Sequence, residues 1–390
     1  MDIKKLVFTR ILKMLLLIIP ALLFVLLLPI NEFDDSRRIR EYLLEEPNSL
    51  DVVVMGASDV YAGYSPVLAY DEFGFTGYSY VLSGNHIELI PGQLEEVLHS
   101  QSPKLIVIEI TELLKYGPYA GVKDTTLRQY LAGVPLSQNK LKMIWEYGDR
   151  TDLLSYIIPF MANHGNTDIA SIMETVRSRD CVQKRGYSLL KGSLTFTGSG
   201  ENWDGEYVTP YNTNHDDSRA EIPQDVKENF QYLLTYLKEK GLNNVVFVNF
   251  PHRITTEELY TRYQFTNTLG DLIESYGYDF INLERELEAV GIQPETDFYN
   301  NAHMNLYGQY KVTRYLCNIL KTEYGIGESQ LSARNKERWD TCVEYQHLYY
   351  QLFDYEFRNR DPEEFGLWLK EDAWLDTRLN ELRENGLPAA

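Results

Sequence analysis

Two residues of this chain have types and positions that suit chemistry: a serine ending an apolar run, and a histidine in a loop before a late helix. The serine is Ser58, in Asp51-Val52-Val53-Val54-Met55-Gly56-Ala57-Ser58-Asp59. The apolar, largely β-branched run predicts a central strand buried on both faces. Gly56 permits a sharp exit, Ala57 lets neighbouring backbone come close, and Ser58 is left at the strand's carboxyl end. Ligands bind at that edge in open α/β sheets. A hydroxyl there, backed by N–H groups of the following turn, suits a nucleophile, although an ordinary strand-turn serine has the same local sequence. The histidine is His303, in Asp297-Phe298-Tyr299-Asn300-Asn301-Ala302-His303-Met304-Asn305-Leu306-Tyr307-Gly308. A helix is predicted next, from about Gln309 to Lys321, which puts His303 at the same edge as Ser58. There it can take the serine's proton if a third group orients it. A lone loop histidine is polar surface; the pairing across the sheet gives it meaning.

Two further histidines, His86 and His252, follow predicted strands at that edge and are candidates for touching substrate, with cap or surface roles as the alternative. His164 belongs to the insertion described below. No metal-ligand constellation appears among the histidines. Cys181, Cys317 and Cys342 have no metal-like spacing and leave one over, so neither a metal, a cofactor nor a disulfide framework is expected.

The elements that must position these residues alternate. After the Ser58 strand, Ser65-Pro66 reads as an N-cap with proline at the first helical position, for a helix to about Phe73. Tyr78–Leu82 reads as a second strand, ended by Ser83-Gly84-Asn85-His86, and residues 87–100 as a helix. Leu105–Ile110, Asn244–Asn249 and Phe280–Leu283 read as three more strands. Alternating strands and helices predict a parallel sheet covered on both faces. Residues 113 to about 240 are a long insertion. Within it, 136–147 and 153–176 look helical, 192–222 reads as loop, and an amphipathic helix with Phe230, Leu233, Leu234 and Leu237 on one side ends at Lys240. From Glu337 onward the chain reads as a helical extension rich in aromatics, among them Trp339, Tyr345, Tyr349, Trp368 and Trp374.

Met14 to Ile30 carries no charge and, with Ile11, Leu12 and a snorkelling Lys13, is long enough for a transmembrane helix kinked at Pro20. A cleaved signal peptide is the rival, but no small-x-small cleavage site follows. Lys4, Lys5, Arg10 and Lys13 before the span outweigh Arg37, Arg38 and Arg40 after it only slightly. They lean towards a cytoplasmic amino terminus, with the domain beyond residue 31 outside the cytoplasm. Residues 32–50 read as a stalk with a short helix. The formal charge of −20 excludes nucleic-acid binding, since no basic face is available to neutralise phosphates. Val54-Met55-Gly56-Ala57-Ser58 is no dinucleotide turn, because the next glycine is Gly63, and there is no G-K-[ST] phosphate loop.

Taken together, the blocks resemble the SGNH hydrolase superfamily, the serine esterases of GDSL type. Gly56-Ala57-Ser58 occupies the Gly-Asp-Ser block, Gly84 the glycine block, and Asn300-x-x-His303 the closing Asp-x-x-His block. Tyr64-Ser65-Pro66, Pro103-Lys104, Asn249-Phe250-Pro251 and His303-Met304-Asn305 with Gly308 resemble its membrane-anchored branch, which includes proteins of lipoteichoic-acid D-alanylation and alginate O-acetylation. The resemblance covers roughly residues 50–325. It implies a three-layer α/β/α flavodoxin-like fold of five parallel strands, with Ser58 as nucleophile and His303 as general base. An oxyanion hole from the Ser58 and Gly84 N–H groups is implied as well, worth a few kcal/mol per donor.

Two blocks depart from the family pattern. Glu109-Ile110-Thr111-Glu112 stands where the family has Gly-x-Asn, so Asn85 or Thr111 is left as a substitute oxyanion donor. Asn300 replaces the triad acid, and an amide cannot stabilise an imidazolium by charge. In one serine protease the equivalent swap costs roughly ten-thousand-fold. Asp297 is the nearest carboxylate that could reach His303 Nδ1 instead. Two functions follow as expectations. One is an extracytoplasmic esterase or O-acyltransferase acting on a cell-envelope glycan or glycopolymer. The other is a degenerate module serving a membrane-bound O-acyltransferase or polymer exporter.

Overall fold

A computed structural model of the chain describes residues 3–27, 34–158, 183–196 and 209–359, with the isolated positions 173, 176 and 179. Strands β1 (Val52–Gly56), β2 (Gly77–Val81), β3 (Leu105–Glu109), β4 (Val245–Asn249) and β5 (Asp279–Asn282) form one sheet in the order β2-β1-β3-β4-β5. Every pairing is parallel, and β1 lies between β2 and β3. Each predicted strand is present within a residue or two. β1 to β4 are buried throughout, which is why their sequences read as apolar runs with no alternation.

Successive side chains of these strands point to opposite faces, and each face has its own core. Val53, Met55, Ile106, Ile108, Val245 and Phe247 pack with Leu94 and Val97, and with Phe230, Leu233, Leu234 and Leu237. The first pair comes from a helix over Ile90–Ser100, the rest from one over Gln224–Glu239. Val52, Val54, Val107, Val246 and Val248 pack with Val60, Val312, Leu316 and Leu320 on the other face. Each such side chain contributes about 1.5–3 kcal/mol by leaving water.

The first helix, α1, runs Ile3–Leu27 with Pro20 inside it. Its described apolar side chains, from Val7 to Leu22, are exposed. Among the described residues no helix is long and apolar enough to cross a membrane. The predicted span, Met14 to Ile30, runs beyond the side chains described. Helix α2 (Asp34–Tyr42) is not a free stalk. Ile39 and Tyr42 are buried, and Tyr42 donates to the Val97 carbonyl at 2.9 Å while meeting Tyr78 and Tyr80 edge-on. The periodicity of Ile39, Tyr42 and Leu43 marked a helix but not what it packs on.

The insertion holds helices over Asp124–Gly133, which the sequence reading did not separate from loop, and Gln138–Tyr147. Most of the helix predicted over 153–176, as well as Trp368 and Trp374, lies outside the described residues. Residues 188–196 return to the domain as a strap. Ser79 N–H donates to the Lys191 carbonyl, Leu194 N–H to that of Tyr61, and Leu306 N–H to that of Phe196. Gly192, at φ +83°, lies so close that a Cβ would sit 2.2 Å from the Ser79 oxygen. The strap is fastened by Lys191, fully buried, whose Nζ lies 2.7 Å from Glu45 and 4.5 Å from the Trp339 ring centre. Trp339 belongs to the long helix Ala333–Asn359, which lies within the extension expected over residues 326–390 and begins slightly before Glu337.

Candidate active site

Ser58 opens a short helix, α3 (Ser58–Gly63), directly after β1. The chain turns here because Gly56 packs against its neighbours: a Cβ at Gly56 would lie 2.7 Å from Val60 Cγ2 and 3.0 Å from Glu109 Cβ. In the first turn of α3 no earlier carbonyl of the helix can accept the Ser58 N–H, so it is available to an oxyanion. Gly84, after β2, holds φ at +62°, a left-handed conformation that favours glycine whatever the space around it.

His303 lies in the loop before a helix over Leu306–Thr322, capped by Asn305, whose side chain accepts from the Tyr307 and Gly308 N–H groups. The loop closes on itself through one antiparallel bridge, Phe298 to Met304. Asn300 Oδ1 organises its apex, accepting from Ala302 N at 2.9 Å, His303 N at 2.8 Å and His303 Nδ1 at 3.0 Å. That contact assigns the proton to Nδ1 and leaves Nε2 as the basic nitrogen. Nε2 is buried and has no hydrogen-bond partner. The ring is walled by Tyr61 of α3, which stacks on it, and by Phe196 of the strap, 5.3 Å away centre to centre. Burial pushes the His303 pKa below the usual histidine value, against the pull of Asp59 and Glu112. The imidazole is thus held as a neutral base. No hydrogen bond joins Ser58 to His303.

The substitutes proposed for missing family residues are otherwise engaged. Asp297 is buried, with its carboxylate on Lys311 Nζ at 2.5 Å and Gln293 N at 2.8 Å, so Asn300 and not Asp297 meets Nδ1. Asn85 donates to Gly56 O at 2.9 Å and Gln93 Oε1 at 3.0 Å, which uses its amide hydrogens to tie β1 to the β2 loop. Thr111 gives its hydroxyl to Asn249 Oδ1. His86 caps a short turn, accepting from Glu88 N at 3.4 Å.

His252 is different. Its Nδ1 donates to the Phe250 carbonyl at 2.8 Å, and its Nε2 lies 3.4 Å from Asp59 Oδ2. Burial disfavours the imidazolium, but the Asp59 and Glu284 carboxylates outweigh it and raise the pKa to about 9. Around it gather acids from the ends of β1, β3 and β5. Glu109 ends β3, and burial with Asp59 nearby pushes its carboxyl up to about 8. Glu112 is partly buried, which disfavours its charge, but Arg262 and Lys115, at 2.6 and 2.9 Å, hold its carboxyl well below the usual range. Burial raises Glu284, after β5, although Asn249 donates to it at 3.0 Å. The sequence reading passed over all four acids. Their signal was an acidic residue at or within three positions of the ends of β1, β3 and β5, which apolar runs had drawn attention away from.

Helix α2 reaches the same rim. Asp35 accepts from Ser83 N at 3.2 Å and Ser83 Oγ at 3.1 Å, and Arg38 sits 4.6 Å over the Tyr61 ring. So α2, the β2 loop, α3, the strap and the His303 loop meet at one end of the sheet. The arrangement offers a hydroxyl, a neutral imidazole and helix-terminal N–H groups within one partly buried rim. The chain matches no protein-family model and no curated protein.

Proposed function

We propose that the protein is a serine acyl esterase or O-acyltransferase of SGNH type, acting through an acyl-enzyme on Ser58 with His303 as general base. The observation that carries this reading is His303 Nε2, buried and unpartnered, in a loop packed on the helix that Ser58 opens. The strand order is also that of flavodoxin-like sheets, whose ligands sit at this edge. In this reading the uncharged run Met14 to Ile30 is the membrane anchor, with the domain outside the cytoplasm and a cell-envelope glycan or glycopolymer as acceptor. Hydrolysis of a chromogenic acetyl ester by the full chain in detergent tests the mechanism. Loss in both Ser58→Ala and His303→Ala is expected, and activity surviving Ser58→Ala overturns it.

A second reading is favoured by the amide at Nδ1 and by the absent hydrogen bond between Ser58 and His303. In it the fold is retained without catalysis, as an accessory partner of a membrane-bound O-acyltransferase or exporter. Wild-type protein no faster than Ser58→Ala supports that reading.

A further inference from the structure

Asp59 follows Ser58 directly, and its carboxylate is buried with neither oxygen hydrogen-bonded. A buried carboxylate without hydrogen bonds is costly unless a cation answers it. The nearest positive candidate is His252, whose Nε2 is likewise buried and unpartnered. Their separation of 3.4 Å exceeds the roughly 2.7–2.9 Å of a charge-assisted hydrogen bond. It matches the edge between two ligand atoms around a tetrahedral ion with bonds of about 2.0–2.1 Å.

A third donor lies near, at a spacing that an ion would have to draw in. One ligand atom each from Asp59, Glu112 and His252 lie within 4.8 Å of one another. The outer contacts are those of a metal site. The Phe250 carbonyl takes the Nδ1 proton of His252, which leaves Nε2 as the ligating nitrogen, and Arg262 and Lys115 fix the Glu112 carboxylate. The three side chains follow β1, β3 and β4 at the carboxyl edge, so an ion would cross-link the rim beside Ser58.

We propose that Asp59, Glu112 and His252 bind a divalent first-row cation, Zn²⁺ or Mn²⁺, with water completing the shell. Two carboxylate oxygens and one imidazole nitrogen suit these ions better than Ca²⁺, which takes oxygen ligands, or Cu⁺, which takes sulfur. The proposal goes beyond the esterase reading and does not need it.

The test uses the detergent-solubilised full chain, stripped with chelator, equilibrated with Zn²⁺ or Mn²⁺ and desalted. Metal content and melting temperature are then measured. About one equivalent bound is expected, with a raised melting temperature, and both are lost in Asp59→Asn. Glu112→Gln, close to isosteric and still able to accept from Arg262, is expected to weaken binding at least about tenfold. Co²⁺ in place of Zn²⁺ is expected to give visible absorption that His252→Ala abolishes. Less than about a tenth of an equivalent of either ion in the wild type overturns the proposal, as does binding unchanged in Glu112→Gln. Ester hydrolysis by Ser58 is scored separately, so failure of the esterase reading leaves this result legible.

Discussion

The Tyr61 ring lies parallel to the His303 imidazole, 6° between planes with centroids 6.3 Å apart, and carries the Arg38 guanidinium over the same ring at 4.6 Å. A residue one turn beyond Ser58 therefore sets the plane of the candidate base. Tyr61→Ala is expected to lower kcat for ester hydrolysis by about ten- to a hundredfold with little change in KM, because misplacement of the base acts on the chemical step. Steady-state kinetics check this, and a change confined to KM would contradict it.

Asn300 presents an amide oxygen where a triad would present a carboxylate. Asn300→Asp keeps an acceptor for Ala302 N, His303 N and Nδ1 and adds charge facing the ring. The expected outcome is a gain in kcat of at least about tenfold, with the acid limb of the pH–rate profile moved upward. An unchanged profile would show that His303 does not titrate in the rate-limiting step.

In the wild type, burial lowers the His303 pKa, so the base is already free at neutral pH. Activity is expected to be level near pH 7 and to fall only below the ordinary histidine value of 6.5. A limb centred above pH 7 would assign the base to another group, with His252 first in line.

Glu109 has its folded pKa raised to about 8 from 4.5. The folded state therefore holds a proton that the unfolded chain releases, and the stability linked to it is full below about pH 4.5 and lost as pH rises through 8. Melting temperature is expected to decline across that interval. Glu109→Gln, which retains an acceptor for Thr111 N, should flatten the decline.

The strap offers a stability test. Lys191→Met leaves Glu45 buried with its cation gone, at a cost of about 3–5 kcal/mol in urea unfolding. Gly192→Ala is expected to expose residues 188–196 to limited proteolysis, since its Cβ would collide with the β2 backbone.

The sheet was legible because runs such as Val52–Met55 and Val245–Val248 have one reading when both faces are buried. The loop histidine was legible through its distance in sequence from Ser58 and its place before the last sheet-covering helix. Sequence spacing leaves Asp297 open as a partner of His303, because it cannot show that Lys311, one turn into that helix, claims the carboxylate first. Asn85 was read as an oxyanion donor for a similar reason, since its tie to Gly56 depends on how β1 and β2 end side by side. The strap had no signal at all: residues 188–196 have no period, and only their hydrogen bonds to β2 and α3 make them structure. Likewise, a histidine after one strand and acids after others become a cluster only once the strand order is known.

Residues 28–33 alone join α1 to α2, and α2 delivers Asp35 and Arg38 to the rim that holds Ser58 and His303. Even drawn straight, that joint spans no more than about 25 Å. On the proposed reading of an anchored esterase, six residues therefore limit how far Ser58 can stand from the surface that holds α1, and lengthening residues 28–33 is expected to carry the serine away from substrate delivered there.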